Sequence, residues 1–131
     1  MFGLFKRSEP AAVPAGTYSF QGTGISFNCR FPSSRFKGRA RQFVLDKCRT
    51  GDPVSLKLYE WEGAPALAIM ADKYETDIGV VPADKVGRIR KLMEKYREVK
   101  GKIADIRILN PDEEDYRKIR KIFDVELSYY E

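Results

Sequence analysis

Three phenylalanines, Phe27, Phe31 and Phe36, stand among five basic residues, Arg30, Arg35, Lys37, Arg39 and Arg41. That mixture suits one chemistry. Aromatic faces stack on bases while cationic side chains take phosphates, and each stacked base contributes about 1–3 kcal/mol to holding a single strand. Phe31 and Phe36 flank Pro32-Ser33-Ser34, a loop-like stretch that leaves them accessible. Phe27 reads equally well as a core residue, since aromatics bury readily. A second basic run includes Arg88 and Lys91, on what the spacing predicts to be the outer face of a helix.

Other chemistries find little material. The chain has no histidine, which removes Ser-His and Cys-His nucleophile pairs, histidine bases and histidine metal ligands together. Its two cysteines, Cys29 and Cys48, are too far apart in sequence for a zinc knuckle or a redox pair and read as reduced thiols. The expectation is no bound metal and no cofactor. Gly22-Thr23-Gly24 lacks the third glycine of a dinucleotide loop, and no Gly-Lys-Ser/Thr follows to make a phosphate-binding loop. For an enzyme there remain the carboxylates Glu60, Glu62, Asp72, Glu75 and Asp77, which could hold Mg²⁺ but read more simply as solvated turns. No catalytic residue is assigned.

The charge is segregated along the chain. The 131 residues carry a net +5, yet 28–50 holds seven bases against Asp46 alone, and 82–102 holds eight bases against three acids. Between and after these blocks, 51–81 and 103–131 are net acidic. A basic patch attracts polyanions by counterion release, so two such blocks point toward nucleic acid more than the net charge does. Hydrophobic residues make up 43% and charged residues 33%, a globular composition with a highly charged surface. No apolar run reaches the roughly 18 residues of a membrane span. The opening MFGLFKRSEP does not look like a secretory signal, and the expectation is a cytoplasmic protein.

These residues need elements to position them. Residues 1–16, with Pro10, Pro14 and Gly16, read as a flexible tail, and 17–131 as a single domain. Tyr18, Phe20, Ile25 and Phe27 are strand formers interrupted by Gly22 and Gly24, glycines that mark a bulge or a close backbone approach. Ala40, Phe43, Val44 and Cys48 recur at helical spacing, predicting a helix near 35–49 with Arg39, Arg41, Lys47 and Arg49 outside and Gly51 closing it. Three strands follow, from Val54, from Ala64 to Ala71 and from Thr76 to Val81, joined by tight turns at Glu62-Gly63 and Asp72-Lys73. Pro82 and Asp84 open a second helix, near 82–97, with Val86, Ile89 and Met93 on one face and a cationic outer face. A strand from Ile103 leads to Asn110-Pro111-Asp112-Glu113, which reads as the start of a short C-terminal helix, and Val125, Leu127 and Tyr129 make a last strand. The fold class expected is mainly β with helices (α+β), a small antiparallel barrel of OB or SH3 character plugged by two longer helices.

This order and spacing resemble the HIRAN domain, a small barrel found fused to DNA-remodelling helicases and in bacterial and phage proteins. The pieces that carry the resemblance are Gly24-Ile25-Ser26-Phe27, Gly51-Asp52-Pro53-Val54-Ser55-Leu56, Ala68-Ile69 and Ile78-Gly79-Val80-Val81-Pro82, across roughly 17–109. The resemblance implies a pocket for the free 3′ end of a DNA strand, built by the first-strand aromatic and a polar loop before the alanine–isoleucine pair. Here that loop reads Glu62-Gly63-Ala64-Pro65-Ala66-Leu67, with alanine in place of the family's tyrosine and proline in place of its aspartate. Proline has no carboxylate to accept a hydrogen bond from a terminal hydroxyl.

The function expected is therefore a non-catalytic module that binds nucleic acid, single-stranded or end-containing DNA, weakly and with little sequence preference. The candidate contacts are Phe27, Arg30, Phe31, Arg35, Phe36, Lys37, Arg39, Arg41, Arg88 and Lys91. The competing reading is a protein-interaction or scaffold domain whose HIRAN-like pocket has degenerated, since fold does not fix function.

Overall fold

The computed structural model describes residues 13–25, 40–115 and 118–131. Among them six strands form one antiparallel sheet: β1 (Gly16–Gln21), β2 (Pro53–Trp61), β3 (Ala64–Ala71), β4 (Thr76–Val80), β5 (Glu98–Ile108) and β6 (Lys121–Tyr130). Two helices accompany it, α1 (Arg41–Leu45) and α2 (Ala83–Lys95). The strand order is β1-β6-β5-β2-β3-β4. The predominantly β, antiparallel character and the three tightly joined central strands agree with the sequence reading.

The β2–β3 hairpin shows how local chemistry sets register. Trp61 pairs with Ala64 across a two-residue turn, and Glu62 and Gly63 have φ of 52° and 79°. Two positive φ values in succession are what a turn matching the strands' own twist requires, and glycine supplies one of them without strain. The register then carries Val54, Leu56 and Leu58 opposite Ala71, Ile69 and Leu67 on one face. Val54, Leu67, Ile69 and Ala71 of that face, with Phe20, Ile103, Val125 and Leu127, form the core against which Val86 and Ile89 of α2 pack.

β1 and β4 stand at the two ends of the sheet order, and continuous strand pairing does not run round to join them. They are drawn together at one point. Thr23, just past β1, exchanges backbone hydrogen bonds of 2.9 and 2.8 Å with Val80. The approach is possible because Gly22 and Gly79 both lie against the Phe123 ring. A Cβ on Gly22 would come within 2.5 Å of that ring, and one on Gly79 within 2.9 Å of the Thr23 carbonyl. Phe123 is fully buried between them.

Three boundaries differ from expectation. Helix α1 spans five described residues rather than the stretch to 49, because Asp46 and Lys47 turn the chain toward β2; positions 35–39 lie outside the described residues, as do 1–12 of the expected tail. No C-terminal helix forms among the described residues of 109–120. Asn110 instead begins a tight turn: its carbonyl accepts the Glu113 N–H (3.1 Å), and its side chain donates to the Ile119 carbonyl (3.2 Å). A cap residue followed by proline and an acid opens a turn as readily as a helix, and here the β5–β6 connection uses it as a turn. The flanking strands are correspondingly long, β5 starting at Glu98 and β6 at Lys121.

Candidate nucleic-acid interface

The first basic block does not present Arg41 to solvent. Arg41 is 2% exposed and reaches inward to Asp77 on β4, which is wholly buried. Its Nε donates to Asp77 Oδ2 (2.7 Å), its Nη2 lies 2.6 Å from the same oxygen, and its Nη1 donates to the Gly24 carbonyl (2.8 Å). The expected phosphate contact is corrected to a buried strut. Arg41, Val44, Leu45 and Cys48 follow helical spacing, so the arginine lies on the apolar stripe and not opposite it. Its neighbour Gln42, 1% exposed, donates to the Lys121 carbonyl (2.8 Å) and accepts from the N–H groups of Arg120 (3.1 Å) and Lys121 (2.8 Å). Asp46 takes Arg120 and Lys121 at 3.0 and 3.1 Å. This short helix is braced on two sides. Phe27, Arg30, Phe31, Arg35, Phe36, Lys37, Arg39 and Cys29 lie outside the described residues.

The second basic block is arranged the other way. Asp84 in the first turn of α2 and Lys95 in the last complement the helix dipole, and the helix stops where Tyr96 becomes extended and Arg97 donates to the Tyr130 carbonyl (3.0 Å). Val86 and Ile89 bury one face. At about 100° per residue, Arg88, Lys91 and Lys95 then fall within about 60° of one another on the opposite face. Arg88 and Lys91 are exposed, as the sequence implies. Among the described residues, Lys85, Arg88, Arg90, Lys91 and Lys95 form no ion pair, whereas Arg41, Arg107, Arg120 and Lys121 all do.

Tyrosines that the sequence reading did not single out border this stripe. The Arg88 guanidinium lies 5.0 Å over the Tyr18 ring on β1, and Lys95 Nζ lies 5.3 Å over Tyr96. Tyr96 in turn packs on Tyr129 with ring centroids 4.5 Å apart. The Tyr129 phenol crosses Gly16 so closely that a Cβ there would sit 2.3 Å from its oxygen. Lys100 lies 5.7 Å over Tyr130. Cations held over aromatic faces make surfaces that accept both a phosphate and a base. The local pairs Lys95-Tyr96 and Tyr129-Tyr130 are visible in the sequence. Their meeting depends on Val99 pairing with Tyr129, which local pattern does not announce.

The remaining groups with chemical potential are engaged or dispersed. No cluster of three or more metal-ligating side chains occurs among the described residues. Asp72 accepts Ser55 Oγ (2.6 Å), and Glu62 and Glu75 occupy left-handed turn positions. The Asp52 carboxyl is held below the usual carboxylate range, first by the hydrogen bond from Lys73 (2.8 Å) and then by the N–H of Arg49 (2.9 Å). Burial pushes the Cys48 thiol up to about 12, with the Asp52 charge adding to it. Pro65 lies exposed near the hairpin tip, opposite Glu60. No helix among the described residues is long and apolar enough to cross a membrane.

Comparison of the chain with family models, with curated proteins and with solved structures finds no match in any of the three.

Proposed function

We propose that the protein is a non-catalytic module that holds single-stranded or end-containing nucleic acid along α2. The observation that carries this reading is the stripe of Arg88, Lys91 and Lys95, whose charges no carboxylate among the described residues neutralises, with Tyr18 and Tyr96 beneath its two ends. Like charges on one helix face repel, and a polyphosphate relieves the repulsion while releasing its own counterions. Phe27, Phe31 and Phe36, with Arg30, Arg35, Lys37 and Arg39, extend the same chemistry along the chain. Arg41 does not belong to this set. The fold we propose is a divergent HIRAN-like one, and the approach of Thr23 to Val80 supports a barrel-like curl of the sheet. The absence of a carboxylate at Pro65 gives little preference for a free 3′-hydroxyl over a 3′-phosphate.

The test is titration of a labelled short single strand at several salt concentrations. Binding in the micromolar range is expected, falling with salt by about 0.7 log units per log unit for each phosphate neutralised. Replacing Arg88, Lys91 and Lys95 together by alanine lowers that slope by about 2 and weakens all sequences alike. Tyr96→Ala weakens binding and leaves the slope unchanged, because stacking releases no counterions. No binding at low salt up to about 100 μM protein, the weak end of non-specific affinity, would overturn the proposal.

A further inference from the structure

β1 ends the sheet order on one side, and its outer edge is bare. Alternation fixes which backbone groups lie along that edge. The Gly22 N–H donates to the Phe123 carbonyl on the β6 side (3.0 Å), whereas the Thr23 N–H and C=O both engage Val80 on the other. The register to β6 is unshifted, so Thr17, Ser19 and Gln21 turn their N–H and C=O groups the same way as Thr23, away from β6. None of these groups has a partner among the described residues. Sheet edges are commonly blunted by lysine, proline or a bulge, and β1 from Thr17 to Gln21 has none of these.

A ring and a cation stand beside the bare edge. Tyr18 is half-buried, its side chain on the core face with Phe20, and the Arg88 guanidinium lies 5.0 Å over its ring. The nearest acids of β6 do not share that face. Glu126 and Asp124 lie opposite Ser19 and Gln21, on the outer face, and are taken by Lys102 and Arg107. Asp84 stands one turn before Arg88, toward the Thr23–Val80 bridge and away from Lys91, and forms no ion pair with it.

These parts match those of an unpaired nucleotide. Its base offers a flat face to Tyr18 and its phosphate a charge to Arg88. Its Watson–Crick edge offers a donor beside an acceptor, which the adjoining N–H and C=O of one strand residue complement. Other occupants fit less well. An added peptide strand gains specificity from pockets for alternate side chains, and the outer face of β1 offers only Thr17, Ser19 and Gln21. A second copy pairing about Ser19 sets Arg88 against its own twin, because a two-fold interface meets itself.

We propose that the outer edge of β1 hydrogen-bonds the unpaired bases of a single strand whose phosphates follow α2. The contact presupposes nucleic-acid binding by α2 and narrows it to unpaired strands, because a duplex has its Watson–Crick edges already paired. Every base carries a donor beside an acceptor on that edge, so the contact tolerates any sequence.

The probes are a ten-nucleotide single strand, the same strand made abasic through its centre, and the matching duplex. The readouts are affinity at several salt concentrations and residue-resolved amide exchange. The intact strand should slow exchange of the Thr17, Ser19 and Gln21 amides by about tenfold. The abasic strand keeps its phosphates, so it should bind about fivefold more weakly with the same salt slope and leave those amides unprotected. Ser19→Pro deletes one outward N–H at an edge position, and should weaken binding about fivefold relative to Ser19→Ala, which keeps it. Salt-dependent binding that protects none of the three amides overturns the edge contact and leaves binding along α2 standing, as does equal protection by the duplex. Protection present before any strand is added and lost on dilution assigns the edge to a second copy and also overturns it. No binding of any strand at low salt up to about 100 μM protein overturns both.

Discussion

Helices α1 and α2 come from equally basic stretches of sequence, yet they dispose of their charge in opposite ways. Arg41 is taken inside, matched to Asp77 and to a backbone carbonyl, and α1 is pinned to both β4 and β6. Arg88, Lys91 and Lys95 stay outside on α2 without carboxylate partners among the described residues. A charge removed from water must be paired almost completely, or its desolvation outweighs what it gains. A charge left in water contributes little to stability and remains available to a ligand. The same residue types are thus part of the frame in one helix and part of a surface in the other.

The sharpest way to break this comparison is to remove one partner of the buried pair. Arg41→Ala or Asp77→Ala should cost about 3–5 kcal/mol in chemical unfolding, because the remaining charge is stranded. Arg88, Lys91 and Lys95 replaced together by alanine should leave stability within about 0.5 kcal/mol while removing most oligonucleotide binding, since exposed substitutions are near neutral. If the triple replacement unfolded the protein, or the Arg41 variant stayed stable, the contrast between the helices would collapse. Smaller in effect, Gly87→Ala should stabilise by up to about 1 kcal/mol in a thermal melt. Gly87 lies on the exposed side of α2, and a Cβ there meets nothing within 4 Å.

Two further measurements sharpen the buried side. Asp52 has a folded-state pKa below its unfolded value, so its contribution to stability is present above about pH 4 and is lost as pH falls through the lowered pKa. Asp52→Asn should therefore be less stable at neutral pH and show a shallower acid limb in stability-versus-pH titration. Cys48, buried and with its thiol pushed up to about 12, should resist alkylation in the native protein and react once unfolded. Peptide mass mapping would report it separately from Cys29.

Much of the fold was legible because its signals are local. Alternation in Val54 to Leu58, the Glu62-Gly63 turn and the three-to-four-residue spacing of Val86, Ile89 and Met93 each specify an element without reference to the rest. Gly22 was readable as a close approach, though not that the approaching group is Phe123, a hundred residues on. The misreadings have one source. Residue type alone puts Arg41 outside, although its spacing to Val44, Leu45 and Cys48 puts it on the inward face. What decides for the inside is Asp77, the lone acid of β4, and only the pairing of distant elements brings the two together. Asn110-Pro111 carried two valid local meanings, and the meeting of β5 with β6 selected the turn. Of the candidate site, the α2 stripe and Tyr96 at its end were legible as helical spacing, while Tyr18 and Tyr129 come from strands that are neighbours only after folding.

The position of β1 in the sheet has a consequence for how the molecule forms. Its one strand neighbour among the described residues is β6, with Gly16 opposite Tyr129, and just beyond it Thr23 makes a single bridge to Val80. As the chain grows from the ribosome, this strand waits through more than a hundred residues before its partner exists. Until then the Phe20 side of β1 has no sheet to join. Loop closure over that distance is slow compared with forming the β2–β3 hairpin. The hairpin and α2 should therefore gain protection from exchange early in refolding and β1 last, and a chain shortened before Lys121 should leave Tyr18 and Phe20 uncovered and prone to aggregation.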